Sequence, residues 1–159
     1  MGSGMSGLYS GTSGSIENAA RDMIRWLVFD ELRIRQGENT ATVWFHIKAT
    51  QQNYPGTHLP RSFIMRTPAG TFWTHGHGTK HMYSTVAKAL SSTSFNGANH
   101  GMLTQFLLYD YRKALIGAAK DGIRLDGVGR TYGHWELGFG KRPDDKYPVV
   151  MHAKFLGFF

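Results

Sequence analysis

Trp73-Thr74-His75-Gly76-His77-Gly78-Thr79-Lys80-His81 sets both the fold and the chemistry of this chain. Residues 71–74 are rich in β-branched and aromatic side chains and read as a strand. From Lys80 to about Leu90 the residues read as a helix, with Thr79 as its N-cap. Lys80 and His81 then occupy the first helical turn, where backbone N–H groups and the helix dipole favour an anion. Three histidines, one lysine and two glycines fall within seven residues, in a chain with 8 histidines. Glycine lets backbone approach a ligand closely, histidine exchanges protons near neutral pH, and lysine supplies fixed charge. So many polar groups would need many partners in a core. The plain reading is an exposed polar turn before a helix; the functional reading is a site for chemistry at a phosphate.

On the N-terminal side, residues 62–66 pair with residues 71–74 around Pro68-Ala69-Gly70, a hairpin signal. A loop at 50–61 carries Pro55-Gly56 and Pro60. Before it, residues 41–49 alternate and can pair with residues 31–36 across the turn Gln36-Gly37-Glu38-Asn39. Ser15 caps an amphipathic helix over residues 16–29. Residues 1–14 form a flexible Gly/Ser-rich linker whose first five residues look like a cloning remnant, and residues 15–159 form a single domain.

On the C-terminal side, Phe95 to Asn99 form a turn and a long helix runs from His100 to Lys120, ended by Asp121-Gly122. Residues 134–140 and 147–155 close the chain as two strands. The order is helix, hairpin, hairpin, two helices, hairpin. This predicts an α+β domain with an antiparallel sheet built from hairpins and helices packed on one face.

The 159 residues carry a net charge of +7. Residues 1–60 hold five Lys/Arg and five Asp/Glu, whereas residues 61–159 hold thirteen and six, so the whole excess lies with the histidine-rich stretch. That asymmetry predicts an anionic partner, and nucleic acid above all. The absence of cysteine excludes disulfides, thiolate zinc sites and a cysteine nucleophile. No stretch is long enough for a transmembrane helix, and no signal-peptide pattern opens the chain.

RNA cleavage by 2′-hydroxyl attack needs a base, an acid and a cation for the phosphorane charge. His75, His77 or His81 can supply one proton carrier and Lys80 the charge. The second histidine can be His152, His134 or His100. Alternation in Val149-Val150-Met151-His152-Ala153-Lys154-Phe155 places Val150, His152 and Lys154 on one strand face. Glu136 is the one glutamate of the basic half, fit to act as a base or to orient a histidine. A three-histidine metal site is the rival, but Lys80 would repel a cation, no carboxylate is near in sequence, and no His-Glu-x-x-His pattern occurs. For nucleic-acid contact the candidates are Arg61, Arg66, Arg112, Lys141 and Arg142 on phosphates. Lys88, Lys113 and Arg130 are further phosphate candidates. Trp73 is the candidate stacking ring, with Tyr83, Tyr109, Tyr111, Tyr132 and Trp135 as others.

Several pieces together resemble the C-terminal toxin domains of bacterial polymorphic toxins, the variable tips of contact-dependent, Rhs-type or LXG-type effectors. The pieces are Leu59-Pro60-Arg61-Ser62-Phe63 and Trp73-Thr74-His75 leading into Thr79-Lys80-His81-Met82. With them go Gln105 and the Ala-rich stretch 114–119, Gly133-His134-Trp135-Glu136, and Pro148-Val149-Val150-Met151-His152-Ala153. The resemblance spans roughly residues 59–155. It implies a secreted effector domain that acts in the target-cell cytoplasm and is neutralised by a cognate immunity protein. Many such domains are nucleases, several with the barnase–EndoU–colicin–RelE type of fold. The positions it marks are His75, Lys80, His81, Glu136 and His152; His77 lies outside the pattern. The expected activity is a metal-independent ribonuclease without cofactor, acting on RNA. The alternatives are a metal-dependent DNase, an NAD-consuming or ADP-ribosylating toxin, and a non-catalytic nucleic-acid-binding module.

Overall fold

A computed structural model describes residues 40–91 and 100–157. The expected helix at 16–29, the arm at 31–36, the linker at 1–14 and the turn at 95–99 lie outside the described residues. A 3-10 helix (Thr40–His46) leads into β1 (Ile47–Ala49). Then come β2 (Phe63–Thr67), β3 (Gly70–Thr74), α1 (Gly76–Ser91), α2 (His100–Asp121), β4 (Arg130–Tyr132), β5 (Trp135–Gly140) and β6 (Val149–Phe155). The six strands form one sheet in the order β1-β2-β3-β6-β5-β4. The α+β class and the two expected strand pairs, β2 with β3 and β5 with β6, are present.

The sheet's direction and its first strand depart from the sequence reading. The sheet is mixed rather than wholly antiparallel, because β3 and β6 run parallel at its centre, with Trp73 opposite Val149 and Thr74 opposite Val150. The Trp73 amide donates to Pro148 O, and the His75 amide to Val150 O. A parallel pair needs a long crossover, and α1 and α2 belong to the segment that makes it. Second, most of residues 41–49 is not a strand. Val43 is buried in the core. Trp44 Nε1 donates to Gln105 Oε1, and Gln105 Nε2 donates to Thr40 Oγ1. These bonds tie the segment to α2 as a 3-10 helix, and only Ile47–Ala49 extends, pairing with β2.

Alternation on β2 and β5 buries Phe63, Met65, Trp135 and Leu137 against Met82 and Val86 of α1 and Leu103, Tyr111 and Leu115 of α2. Thr74, fully buried at the end of β3, shares a 2.8 Å hydrogen bond with Tyr111 Oη. That bond fixes the end of the strand from which the histidine stretch departs. Gly122, with φ of 94°, closes α2 in the left-handed conformation that glycine favours.

The β5–β6 ladder is interrupted. Gly138 faces His152, yet the next residue, Phe139, faces Val150. Met151 is thus the extra residue of a β-bulge, which shifts the alternation. Val150 therefore joins Ala153 and Phe155 in the core, and Met151 is exposed. This corrects the expectation that Val150 shares a face with His152. Beyond the bulge His152 and Lys154 do alternate with buried Ala153 and Phe155.

Gly138 has a specific task. A Cβ there would lie 2.9 Å from Gly127 O, and the Gly127 amide donates to Phe139 O at 2.7 Å. The loop after α2 thus lies directly on β5, next to His152. Gly138→Ala is expected to destabilise the fold by about 1–3 kcal/mol through backbone overpacking. An unchanged urea midpoint would contradict this close approach.

Candidate active site

The helix begins earlier than the sequence reading placed it. Gly76 is its first residue, so Thr79 is not the cap and Lys80 and His81 lie in the second turn. His75 is the residue before the helix. Its carbonyl accepts from the Gly78 and Thr79 amides, and its ring Nδ1 lies 3.4 Å from the His77 amide. An N-cap side chain commonly accepts from this amide. Thr79 instead is fully buried and donates from Oγ1 to Arg61 O at 2.6 Å. It also bonds Tyr54 Oη at 3.0 Å. The glycines have a packing reason: a Cβ on Gly78 would sit 3.2 Å from Ala153 Cβ. Gly78 lets the first turn of α1 lie against β6, which brings a helix and a strand distant in sequence side by side.

That contact assembles the site. His81 on α1 meets His152 on β6 edge to face, with ring centroids 5.7 Å apart and planes at 75°. His152 Nε2 lies 2.8 Å from Glu136 Oε1 of β5. A carboxylate only accepts, so Nε2 carries the proton and Nδ1 is the nitrogen left to exchange one. Both side chains are part-exposed, at 33% for His152 and 40% for Glu136, open enough for a substrate. Lys154 stands opposite Glu136 in the β5–β6 register. Lys154 was passed over among the sequence candidates, although alternation had placed it on the face of His152. The cross-strand pairing with Glu136 is what brings it to the site.

His81 has its pKa lowered from the ordinary histidine value. Partial burial against β6 is the main cause, followed by the positive fields of His152, Lys154, Lys80 and His77. The shift favours the neutral imidazole, whose free ring nitrogen can accept a proton, in the field of a second histidine and two lysines. His75 is lowered too, first by burial and then by His77 and Arg142, with Asp145 opposing.

The remaining candidates sort into three places. His75 and His77 stack with centroids 5.3 Å apart, and Trp73 meets His75 at 5.6 Å. His77 is one helical turn before His81. Lys141 and Arg142 line a cleft of about 100 Å³ with His75 and Met151. Trp73, Lys141 and Arg142 thus flank the histidines. Arg142 is held by Asp145, through Nε to Oδ2 and Nη2 to Oδ1, each at 3.2 Å. Arg61 lies beneath the start of α1 with its guanidinium 4.8 Å over the Tyr54 ring, a packing role.

Arg66 and Arg112 stand elsewhere. Arg66 pairs with Thr71 at the turn end of the β2–β3 hairpin, away from the end where Thr74 leads to His75. Arg112 Nε donates to Arg66 O, and Arg66 Nη2 to Phe45 O. His134 is taken up by Asp110, with Nδ1 3.1 Å from Oδ2. His100 Nδ1 bonds Thr104 Oγ1 at 3.0 Å. Tyr111 and Trp135 are core rings rather than stacking platforms. Among the described residues, no three His, Asp or Glu side chains are grouped to hold a metal ion, and no helix is long and apolar enough to cross a membrane.

Four histidines, His46, His75, His81 and His100, have lowered pKa values in the fold, each chiefly by burial. The unfolded chain therefore binds protons more readily, and stability rises with pH. The contribution is complete above the ordinary histidine value of 6.5 and is lost as pH falls below it toward the folded values. The urea midpoint is expected to drop between pH 7.5 and about 5.5; an equal or higher midpoint at the acid end would refute this sign.

Compared with known proteins, the chain matches no family model and no curated protein.

Proposed function

We propose that this domain is a metal-independent ribonuclease. The observation that carries the reading is the meeting of His81 and His152 at 5.7 Å, with Glu136 on His152. His81, held neutral, takes the proton of a ribose 2′-hydroxyl. The 2′-oxygen attacks phosphorus. His152, hydrogen-bonded to Glu136, gives a proton to the departing 5′-oxygen. The products are a 2′,3′-cyclic phosphate and a free 5′-hydroxyl, and the two histidines end with their protonation states exchanged. Lys80 and Lys154 lie on the side of the positive field felt by His81 and offset charge on the phosphorane. His75, just before α1, and His77, in its first turn, precede this centre and suit a flanking phosphate.

The biological setting we attach to this activity is that of a polymorphic-toxin tip acting in a target cell and restrained by an immunity protein. A basic chain with an acid–base pair on an open surface supports an RNA substrate.

Total RNA, tRNA and duplex DNA, each incubated with and without EDTA, test the reading. RNA cleavage that persists in EDTA and leaves cyclic phosphate ends is the expected result. EDTA-sensitive cleavage would replace it with histidine-bound metal chemistry, and cleavage confined to duplex DNA would make the domain a DNase. If no polymer is cleaved, NAD turnover is the next assay.

A further inference from the structure

Beside the cleft of His75, Lys141 and Arg142 lies an open groove of about 260 Å³ bordered by Thr50, Ile64, Trp73, Asp145, Lys146 and Tyr147. Its surface is almost wholly apolar. Trp73 Nε1 is spent on Thr50 Oγ1 at 3.1 Å, which fixes the indole plane. The Asp145 carboxylate is engaged by Arg142 and its backbone amide. Lys146 lies 5.5 Å over the Tyr147 ring. A phosphate finds little to bind in such a groove, whereas a flat uncharged ring finds an indole, a phenol and an isoleucine. The volume is below the roughly 300–1,000 Å³ of pockets that enclose a whole drug-sized ligand.

The position supplies the second argument. Asp145 also borders the cleft of His75, Lys141 and Arg142. From Trp73 the rings continue through His75 to His77, which lies one helical turn before His81, and His81 in turn meets His152. A strand whose scissile phosphate meets His81 and His152 and whose next phosphate lies at His75, Lys141 and Arg142 brings a base to Trp73. A duplex keeps its base faces stacked inside, so the groove suits unpaired bases.

The geometry points to a nucleobase subsite on Trp73 and Tyr147 that makes single-stranded RNA, rather than duplex, the substrate class. For the identity of the polymer it rests on the ribonuclease reading. Stacking on an aromatic platform tolerates any base, so the subsite selects unpaired strand more than sequence.

The test is binding of a single-stranded 2′-O-methyl oligoribonucleotide, which lacks the attacking hydroxyl, measured by fluorescence anisotropy. Trp73→Leu and Tyr147→Leu are each expected to weaken binding roughly 5- to 150-fold, and Trp73→Phe to restore most of it. The salt dependence of log Kd should keep its slope in all three, because the phosphate contacts are untouched. Tyr147 lies outside the strand ladders, so its variant reads the groove even where Trp73→Leu disturbs β3. Wild-type affinity in both leucine variants overturns the subsite, as it would if the groove received a protein segment. If unmodified RNA is cleaved in that case, the ribonuclease reading stands alone. Trp73- and Tyr147-dependent binding without any cleavage retires the ribonuclease reading and keeps the base subsite. Failure of the wild type to bind the oligonucleotide overturns the subsite directly.

Discussion

His81→Ala and His152→Ala are each expected to lower RNA cleavage by about 10²–10⁴-fold, the usual contribution of one positioned proton carrier. The double variant should lose little more than the worse single one, because a base without its acid partner has little left to contribute. Folding should survive: His81 stands at the surface, only partly desolvated, and His152 is one-third exposed, so neither supports the core. A melting temperature within a few degrees of the parent, together with lost activity, separates chemistry from collapse. Activity that persists in both variants ends the acid–base assignment. The pH profile adds a sign. Since the fold lowers the His81 pKa, the acid limb of kcat/KM should have its midpoint below 6.5. Lys80→Gln removes one of the positive neighbours that contribute to this and should move the limb upward. Glu136→Gln keeps an acceptor for His152 Nε2 but removes the charge that steadies the imidazolium. Its loss should fall mainly on kcat rather than KM, as expected of a positioning residue.

Trp135→Ala is expected to cost about 3–5 kcal/mol of stability, the range for removing a large aromatic side chain from a core. Trp135 is fully buried, with Tyr111 at 5.0 Å and Phe155 at 5.3 Å between ring centroids. Its Nε1 donates to Asp110 Oδ2 at 2.9 Å. Asp110, itself buried on α2, also receives His134 at 3.1 Å. Asp110→Ala should cost less, about 1–3 kcal/mol, mainly because the buried indole N–H is left without an acceptor. Urea denaturation of both variants measures the order. If Asp110→Ala were the more damaging, the carboxylate rather than the indole would anchor α2 to the β4–β5 hairpin. This pair also explains why His134, a sequence candidate for the second catalytic histidine, is better read as structural: its partner is a buried core carboxylate.

Local pattern and local chemistry carried much of this protein in its sequence. The β2–β3 hairpin, the β5–β6 pair, the span of α2 and its glycine stop followed from alternation, helical spacing and turn residues, all of which act between near neighbours. So did the basic half and the short set of proton carriers. Long-range contacts decided the rest. The parallel seam between β3 and β6 is set by how α1 and α2 return the chain, which no local pattern encodes. α1 starts at Gly76, and Gly78 in its first turn fits against Ala153, a contact between residues far apart in sequence. The bulge at Met151 turns Val150 inward, beside the position where Gly138 receives the Gly127 loop. The candidate site depends on these same contacts. Eight histidines were visible in the sequence, but only helix-against-strand packing selects His81 and His152 as a pair and gives Glu136 its partner. A ring's chemistry is written in its residue type; its partner is chosen by the tertiary contacts that bring the two backbones within reach.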